Sequence, residues 1–88
     1  MKTQITSDGK TVWVNSGDGS CIGRFSHFGI DIHRDFIGQM SGEGQCLECK
    51  KGPATLDDWL QFQAGMMRHY GVKIAKRHMP RYLRLGKV

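Results

Sequence analysis

Cys46-Leu47-Glu48-Cys49 is the stretch whose residue types and spacing could most directly do chemistry. Two thiolates at this spacing can grip one zinc ion, because a tight turn brings both sulfurs to tetrahedral positions. A structural site needs two more ligands, and Cys21, His27, His33, His69 and His78 are the candidates. Cys21 and His33 are favoured, because the strand carrying His33 ends shortly before the cysteine loop. The expectation is a structural zinc on Cys46, Cys49, Cys21 and His33. The strand register opposes it, since it puts Cys21 on the core face and His33 on the other. The competing reading is a reduced pair in a surface loop, with Cys21 as a small core residue. A lone Cys-x-x-Cys does not decide between them. A thioredoxin-like redox site fits less well, because such a site puts its first Cys at a helix N-terminus. Here the predicted helix begins only at Thr55, beyond Gly52-Pro53. A zinc deaminase signature needs His-x-Glu and a Pro before the pair. This chain offers His33-Arg34-Asp35 and Gln45 instead, so that reading is rejected.

The second feature is charge. All eight acidic residues lie in the first 58 positions, which sum to −2. From Trp59 to Val88 the charged side chains are Arg68, Lys73, Lys76, Arg77, Arg81, Arg84 and Lys87, a formal +7. The overall +5 is therefore polarised. Such polarity points to an acidic partner: nucleic acid, an acidic protein or an anionic surface. Lys and Arg neutralise phosphates without regard to sequence, and the interleaved Tyr70, His78 and Tyr82 could stack on bases. The leading expectation is thus a non-enzymatic module that engages nucleic acid through Arg68, Lys73, Lys76, Arg77, Arg81, Tyr82, Arg84 and Lys87. The plainer alternative is a solvated basic tail. Trp13 and Arg24, on the sheet face away from the core, suit a protein interface. Gly-x-Ser-x-Gly, a phosphate loop ending in Gly-Lys-Ser/Thr and His-Glu-x-x-His are absent, so no enzyme is expected. Asp57 and Asp58 read as helix-dipole partners rather than a catalytic pair.

These groups need a frame, and 88 residues supply one thin-cored domain. The expected fold is α+β: a small antiparallel β-meander, one amphipathic helix on its apolar face, and a basic C-terminal tail. Residues 1–34 read as four strands joined at Asp8-Gly9, Ser16 to Gly19 and His27 to Gly29. The turns pair Ile5 with Val12, Val14 with Cys21, Val12 with Gly23, and Phe25 with Ile30. They place Ile5, Val12, Val14, Cys21, Gly23, Phe25, Ile30 and Ile32 on one face, and Trp13, Ile22, Arg24, Asp31 and His33 on the other. Residues 35–54 read as a Gly-rich irregular loop holding the cysteine pair. Residues 55–71 read as a helix, with Thr55 and Asp58 forming a capping box and Gly71 as the stop. Its stripe is Leu56, Trp59, Leu60, Gln63, Met67 and Tyr70, and Gly65 marks close packing. Residues 72–88 read as a short strand at Val72 to Ile74 followed by a basic arm, broken at Pro80.

Met1 to Ile5 leads into no apolar run and the three cysteines are an odd number. A reduced, cytoplasmic protein without disulfides or a membrane span is expected. The runs Thr11 to Asn15, Gly19 to Phe25 and Gly29 to His33 resemble short bacterial and phage proteins of unknown function, over about residues 11–74. Small phage-type proteins often bind host machinery. The resemblance therefore implies, as an alternative, an accessory protein that binds and modulates or inhibits a host protein complex.

Overall fold

The computed structural model describes residues 3–17, 20–34 and 45–85; of Gln45, Arg84 and Leu85 only the backbone is described. Five strands, β1 (Gln4–Ser7), β2 (Val12–Asn15), β3 (Cys21–Ser26), β4 (Gly29–Arg34) and β5 (Gln45–Lys51), form one sheet in sequence order. Every neighbouring pair is antiparallel. A helix, α1 (Leu56–Tyr70), packs across β3 and β4. A 3-10 turn at Lys76–His78 and a short helix, α2 (Arg81–Leu85), follow. The α+β meander with one covering helix is as expected from the sequence.

Hydrophobic alternation fixes the faces of β2, β4 and β3 from Gly23 onward as expected, but the assignment fails at Cys21 and Ile22, where a β-bulge sets Cys21 opposite Asn15. Val12, Val14, Phe25, Ile30 and Ile32 are all buried beneath α1, and Ile5 packs at their margin. Three of the expected pairings are not observed. Ile5 pairs with Val14 rather than Val12, Val12 with Phe25 rather than Gly23, and Val14 with Gly23 rather than Cys21, which pairs with Asn15. The first difference arises at Asp8, whose Oδ1 accepts from the N–H groups of both Lys10 and Thr11. That side chain holds a wider loop than the two-residue turn that Asp8-Gly9 suggests. A shift of two keeps every side chain on its face, so the core survives the error. The β3–β4 pairing, Phe25 with Ile30 and Gly23 with Ile32, is as expected. Ile22, assigned to the outer face, is nevertheless buried.

Residues 45–51 are a strand, which corrects the irregular loop expected there; residues 35–44 lie outside the described residues. Val72 to Ile74 form no strand, although Val72 and Ile74 are buried. The basic arm packs as a 3-10 turn and α2, with Pro80 and Leu83 buried against the core. No helix among the described residues is long and apolar enough to cross a membrane.

The helix is capped as its sequence dictates. Thr55 Oγ1 accepts from the Asp58 N–H, and Asp58 Oδ2 accepts from the Thr55 N–H at 2.8 Å. Gly71 ends it in a left-handed conformation, φ 68°. Its buried face, however, is Asp58, Trp59, Phe62, Gly65 and Met66. Leu56, Leu60 and Met67, expected in the core, are exposed. Close approach decides which face wins. A Cβ on Gly65 would lie 2.7 Å from Ile32 Cδ1, and one on Gly23 would lie 2.7 Å from Met66 Sδ. These glycines let the helix sink onto β3 and β4 along the Phe62–Met66 line. The Leu56–Leu60 line is left outside.

Asp58 also ties the helix to β5 through a 2.5 Å ion pair with Lys50. The Lys50 ammonium, with the Thr55 N–H and hydroxyl behind it, holds the carboxyl below its ordinary 3.8 despite burial. Glu48 is pushed up by burial, but Arg68, Gln61 and His69 outweigh this and hold it below 4.5. A depressed carboxylate stabilises the fold fully above its unfolded pKa and ceases to do so as pH falls through its folded one. Through these two carboxylates stability is expected to fall progressively as pH drops below the 3.8–4.5 range, on top of a loss that begins below 6.5 at the partly buried His78, whose pKa is lowered in the fold. Urea midpoints measured from pH 6 to pH 2.5 check this. Asp58→Asn should cost stability at neutral pH and reduce the acid-induced loss. An acid slope unchanged by Asp58→Asn would remove Asp58 as its source.

Candidate functional site

The sulfur-bearing group sits at the β4–β5 edge, and a β-bulge creates it. In a regular strand, residues three apart point to opposite faces. Cys46 and Cys49 would then be separated by the sheet. Ile32 pairs with Glu48 while His33 pairs with Cys46, so Leu47 is an extra residue in β5. The bulge returns Cys46 to the face that Cys49 occupies. That face is the outer one, where Cys49 opposes Asp31 and Cys46 opposes His33. One nitrogen of His33 and the sulfurs of Cys46 and Cys49 all lie within 4.8 Å of one another, and His33 Nε2 is 3.1 Å from Cys49 Sγ. Both cysteines are exposed and His33 is half-buried. This group has the composition and spacing to hold a metal ion.

Two expectations about it need correction. Cys46 and Cys49 are joined as a disulfide, not held as the reduced pair expected. The physical reason is again the bulge, which puts both sulfurs on one surface within bonding reach. Cys21 does not join the group. It lies on β3, pairs with Asn15 across the sheet, and directs its thiol to the Gly23 carbonyl oxygen. Burial pushes that thiol above its ordinary 9.0, which keeps it protonated. The sequence treated the cysteine segment as a loop and so missed the bulge that aligns it with His33.

Glu48, between the cysteines, was not singled out from the sequence. It points to the helix side, where Arg68 Nη2 lies 2.5 Å and His69 Nε2 3.1 Å from its Oε1, and Gln61 Nε2 donates to its Oε2. Tyr70 donates its hydroxyl proton to the His33 carbonyl oxygen. Together these contacts fasten β5 and the end of β4 to α1 from behind. Arg68, expected among the partner-binding cations, is therefore engaged within the fold.

The remaining basic residues surround a second feature. Leu56, Trp59, Leu60, Gln63, Lys76, Met79 and Leu83 line an open, mostly apolar groove of about 640 Å³ between α1 and the C-terminal segment. Leu56 and Leu60 are 46% and 53% exposed along it. Lys73, Lys76, Arg77 and Arg81 are exposed, Lys76 at the groove itself. The Arg84 side chain and Lys87 lie outside the described residues. The aromatics expected to stack on bases are otherwise employed. The Tyr70 hydroxyl is bonded to β4, and Tyr82 packs at the core with its ring edge-on to His27. Burial, with Arg77 beside it, holds His78 below 6.5, so it is neutral at pH 7.

Trp13 and Arg24 face each other across β2 and β3 on the outer side. Trp13 is half-buried, and Arg24 is bound to Asp31 at 2.7 Å. Comparison with family models, curated proteins and solved structures yields no match to this chain.

Proposed function

We propose that the protein is a non-enzymatic binding module, and that its groove between α1 and the C-terminal segment takes an acidic amphipathic segment of a partner protein. The observation that carries this reading is the combination of exposed leucines with a groove whose described lining holds Lys76 and no acidic side chain. Phosphates have no use for Leu56 and Leu60, whereas the apolar face of a partner helix does. The cations at Lys73, Lys76, Arg77 and Arg81 suit acidic residues on that helix's outer side and would speed the encounter. A host-complex component of this chemistry is the kind of partner that the phage-type resemblance implies. The second reading is nucleic acid, supported by the formal +7 from Trp59 onward. It asks the same cations to neutralise phosphates, with no stacking contribution from Tyr70 or Tyr82.

Fluorescence anisotropy separates the readings. The probes are a synthetic acidic peptide with leucines at helical spacing, its scrambled counterpart, and a single-stranded oligonucleotide. The spaced peptide is expected to bind at least about tenfold tighter than the scramble, and Leu60→Gln should remove that advantage. Leu60→Gln should leave folding nearly unchanged, because the side chain is already half exposed. A groove that does not distinguish the peptides overturns the protein reading. If the oligonucleotide then binds with a log–log salt slope of about −4 to −6, nucleic acid is the partner. Replacing Arg77, Arg81 and Arg84 together with Gln should in that case flatten the slope by about three.

A further inference from the structure

We propose that His33, Cys46 and Cys49 form a thiol-gated site for a thiophilic divalent cation of the zinc class. The site is open when the two cysteines are reduced and closed when they are joined. This proposal concerns the outer face of the sheet and is independent of the groove beside α1.

Three observations carry it. The first is construction. The extra residue at Leu47 places both sulfurs on the face of His33, an arrangement that neither a regular strand nor the Cys-x-x-Cys spacing alone would give. The second is ligand chemistry. Zinc takes thiolate sulfur at about 2.3 Å and imidazole nitrogen at about 2.0 Å, so donors on one ion lie roughly 3–4 Å apart. The three donor atoms here are already within 4.8 Å of one another, with His33 Nε2 3.1 Å from Cys49 Sγ. The third is support. The His33 backbone is held by the Tyr70 hydroxyl, and Glu48 anchors the intervening stretch of β5 to Arg68, Gln61 and His69. The ligand-bearing strands are thus fixed from the helix side while both sulfurs face outward.

The gate follows from sulfur chemistry. Each sulfur of a disulfide is bonded to its partner and offers no thiolate to a cation. A dithiol reductant opens the site: two electrons pass to the S–S bond, the reductant leaves as its own disulfide, and Cys46 and Cys49 become thiols. Zinc then binds two thiolate sulfurs and the neutral imidazole, and two protons are released to solvent. In reverse, a low-molecular-weight disulfide oxidant takes two electrons from the zinc-bound thiolates. The Cys46–Cys49 bond re-forms, the S–S bond of the oxidant breaks, its two thiolates take up two protons from solvent and leave as thiols, and the cation is expelled. Three protein donors leave a fourth position to water or an external ligand. Asp31 opposes Cys49 on this face, but its Oδ2 is bound by Arg24 at 2.7 and 3.2 Å. Cys21 is not a ligand, since its thiol is on β3 and turned to the Gly23 carbonyl.

Cobalt(II) is the test, because thiolate–cobalt charge transfer gives a near-ultraviolet band that reports the donors directly. The full chain, reduced with a phosphine, is expected to bind one cobalt with such a band, and zinc should displace it. Cys46→Ser and Cys49→Ser should abolish the band. His33→Gln should weaken binding by at least about tenfold. Cys21→Ser should bind like the parent. Circular dichroism of each variant separates loss of a ligand from loss of fold, and alkylation of the folded, reduced parent provides a second block without mutation. Zinc-loaded protein treated with oxidised glutathione should release its metal to a chromogenic chelator in step with the loss of two thiols. Absence of the band in reduced parent, or its loss in folded Cys21→Ser, overturns the site. Equal cobalt binding by the disulfide form, or disulfide formation without metal release, overturns the gate.

Discussion

Phe25→Ala is expected to destabilise the domain by about 3–5 kcal/mol. The ring is fully buried near the C-terminal end of β3. It meets Trp59 edge-on at a centroid distance of 5.1 Å and Phe62 at 5.7 Å, joining the sheet to the buried face of α1. Truncation removes the transfer free energy of an aromatic side chain and leaves a cavity whose walls are Trp59, Phe62 and flanking strands, none of which can easily collapse into it. Domains are stable by only about 5–15 kcal/mol, so the loss is a large share of the total. The denaturant midpoint should fall sharply with an unchanged slope. Leu60→Ala on the same helix should do little, because Leu60 is 53% exposed. If the two variants were equally destabilised, the rotation of α1 described above would be wrong.

That rotation marks where the sequence ceased to be legible. The strand faces could be read, because alternation in Val12 to Val14 and in Ile30 to Ile32 is a local signal with a period of two. The capping box at Thr55 and Asp58 could be read for the same reason. The helix carries two apolar lines, however, and periodicity cannot choose between them. The choice lies in Gly23 and Gly65, on different elements, whose missing side chains admit Met66 and Ile32. Gly65 reads as a mark of close packing, but on its own it does not say that Phe62 and Met66 sink with it rather than Leu60 and Met67. Register was lost at Asp8 because a side-chain hydrogen bond, rather than the Asp-Gly turn, sets the loop.

The candidate site was half legible for a similar reason. Cys46, Cys49 and His33 each carried a chemical signal. What brings them together is a strand with a bulge, and Gln45 to Lys51 shows no clean alternation, since Glu48 and Lys50 face the helix as ion-pair partners. Charged residues on the covered side disguise β5 as a loop. Cys21 reads from the sequence as a core-face residue, but the bulge at Ile22 sets it opposite Asn15, and the direction of its thiol to the Gly23 carbonyl keeps it out of the group. The polarised charge at the C-terminus was plain in the sequence. The engagement of Arg68 by Glu48 was not, because those residues are distant in the chain and meet only once β5 lies along α1.

The attachment of β5 leads to the second large expected effect. Gly29 sits at the start of β4 with φ 142°, a conformation that side-chain-bearing residues rarely adopt, and a Cβ there would lie 2.0 Å from the Lys50 carbonyl oxygen. That obstacle is backbone, so no rotamer change relieves it. Gly29→Ala must either move β5 away at Lys50 or force β4 into another conformation. Backbone strain and overpacking each cost about 1–3 kcal/mol, so a total of about 2–6 kcal/mol is expected. The damage should be directional. Lys50 leads to the Asp58 ion pair and, one residue before it, to Cys49, whereas β1 to β3 are joined independently of β5. Hydrogen exchange should therefore quicken first at the β4–β5 amides and last at those between β2 and β3. Cobalt binding by the reduced variant should weaken along with it, although none of the three ligands has been changed. Uniform acceleration across the sheet would show that β5 is not a separable layer. Unchanged stability would show that Gly29 and Lys50 do not approach as closely as described.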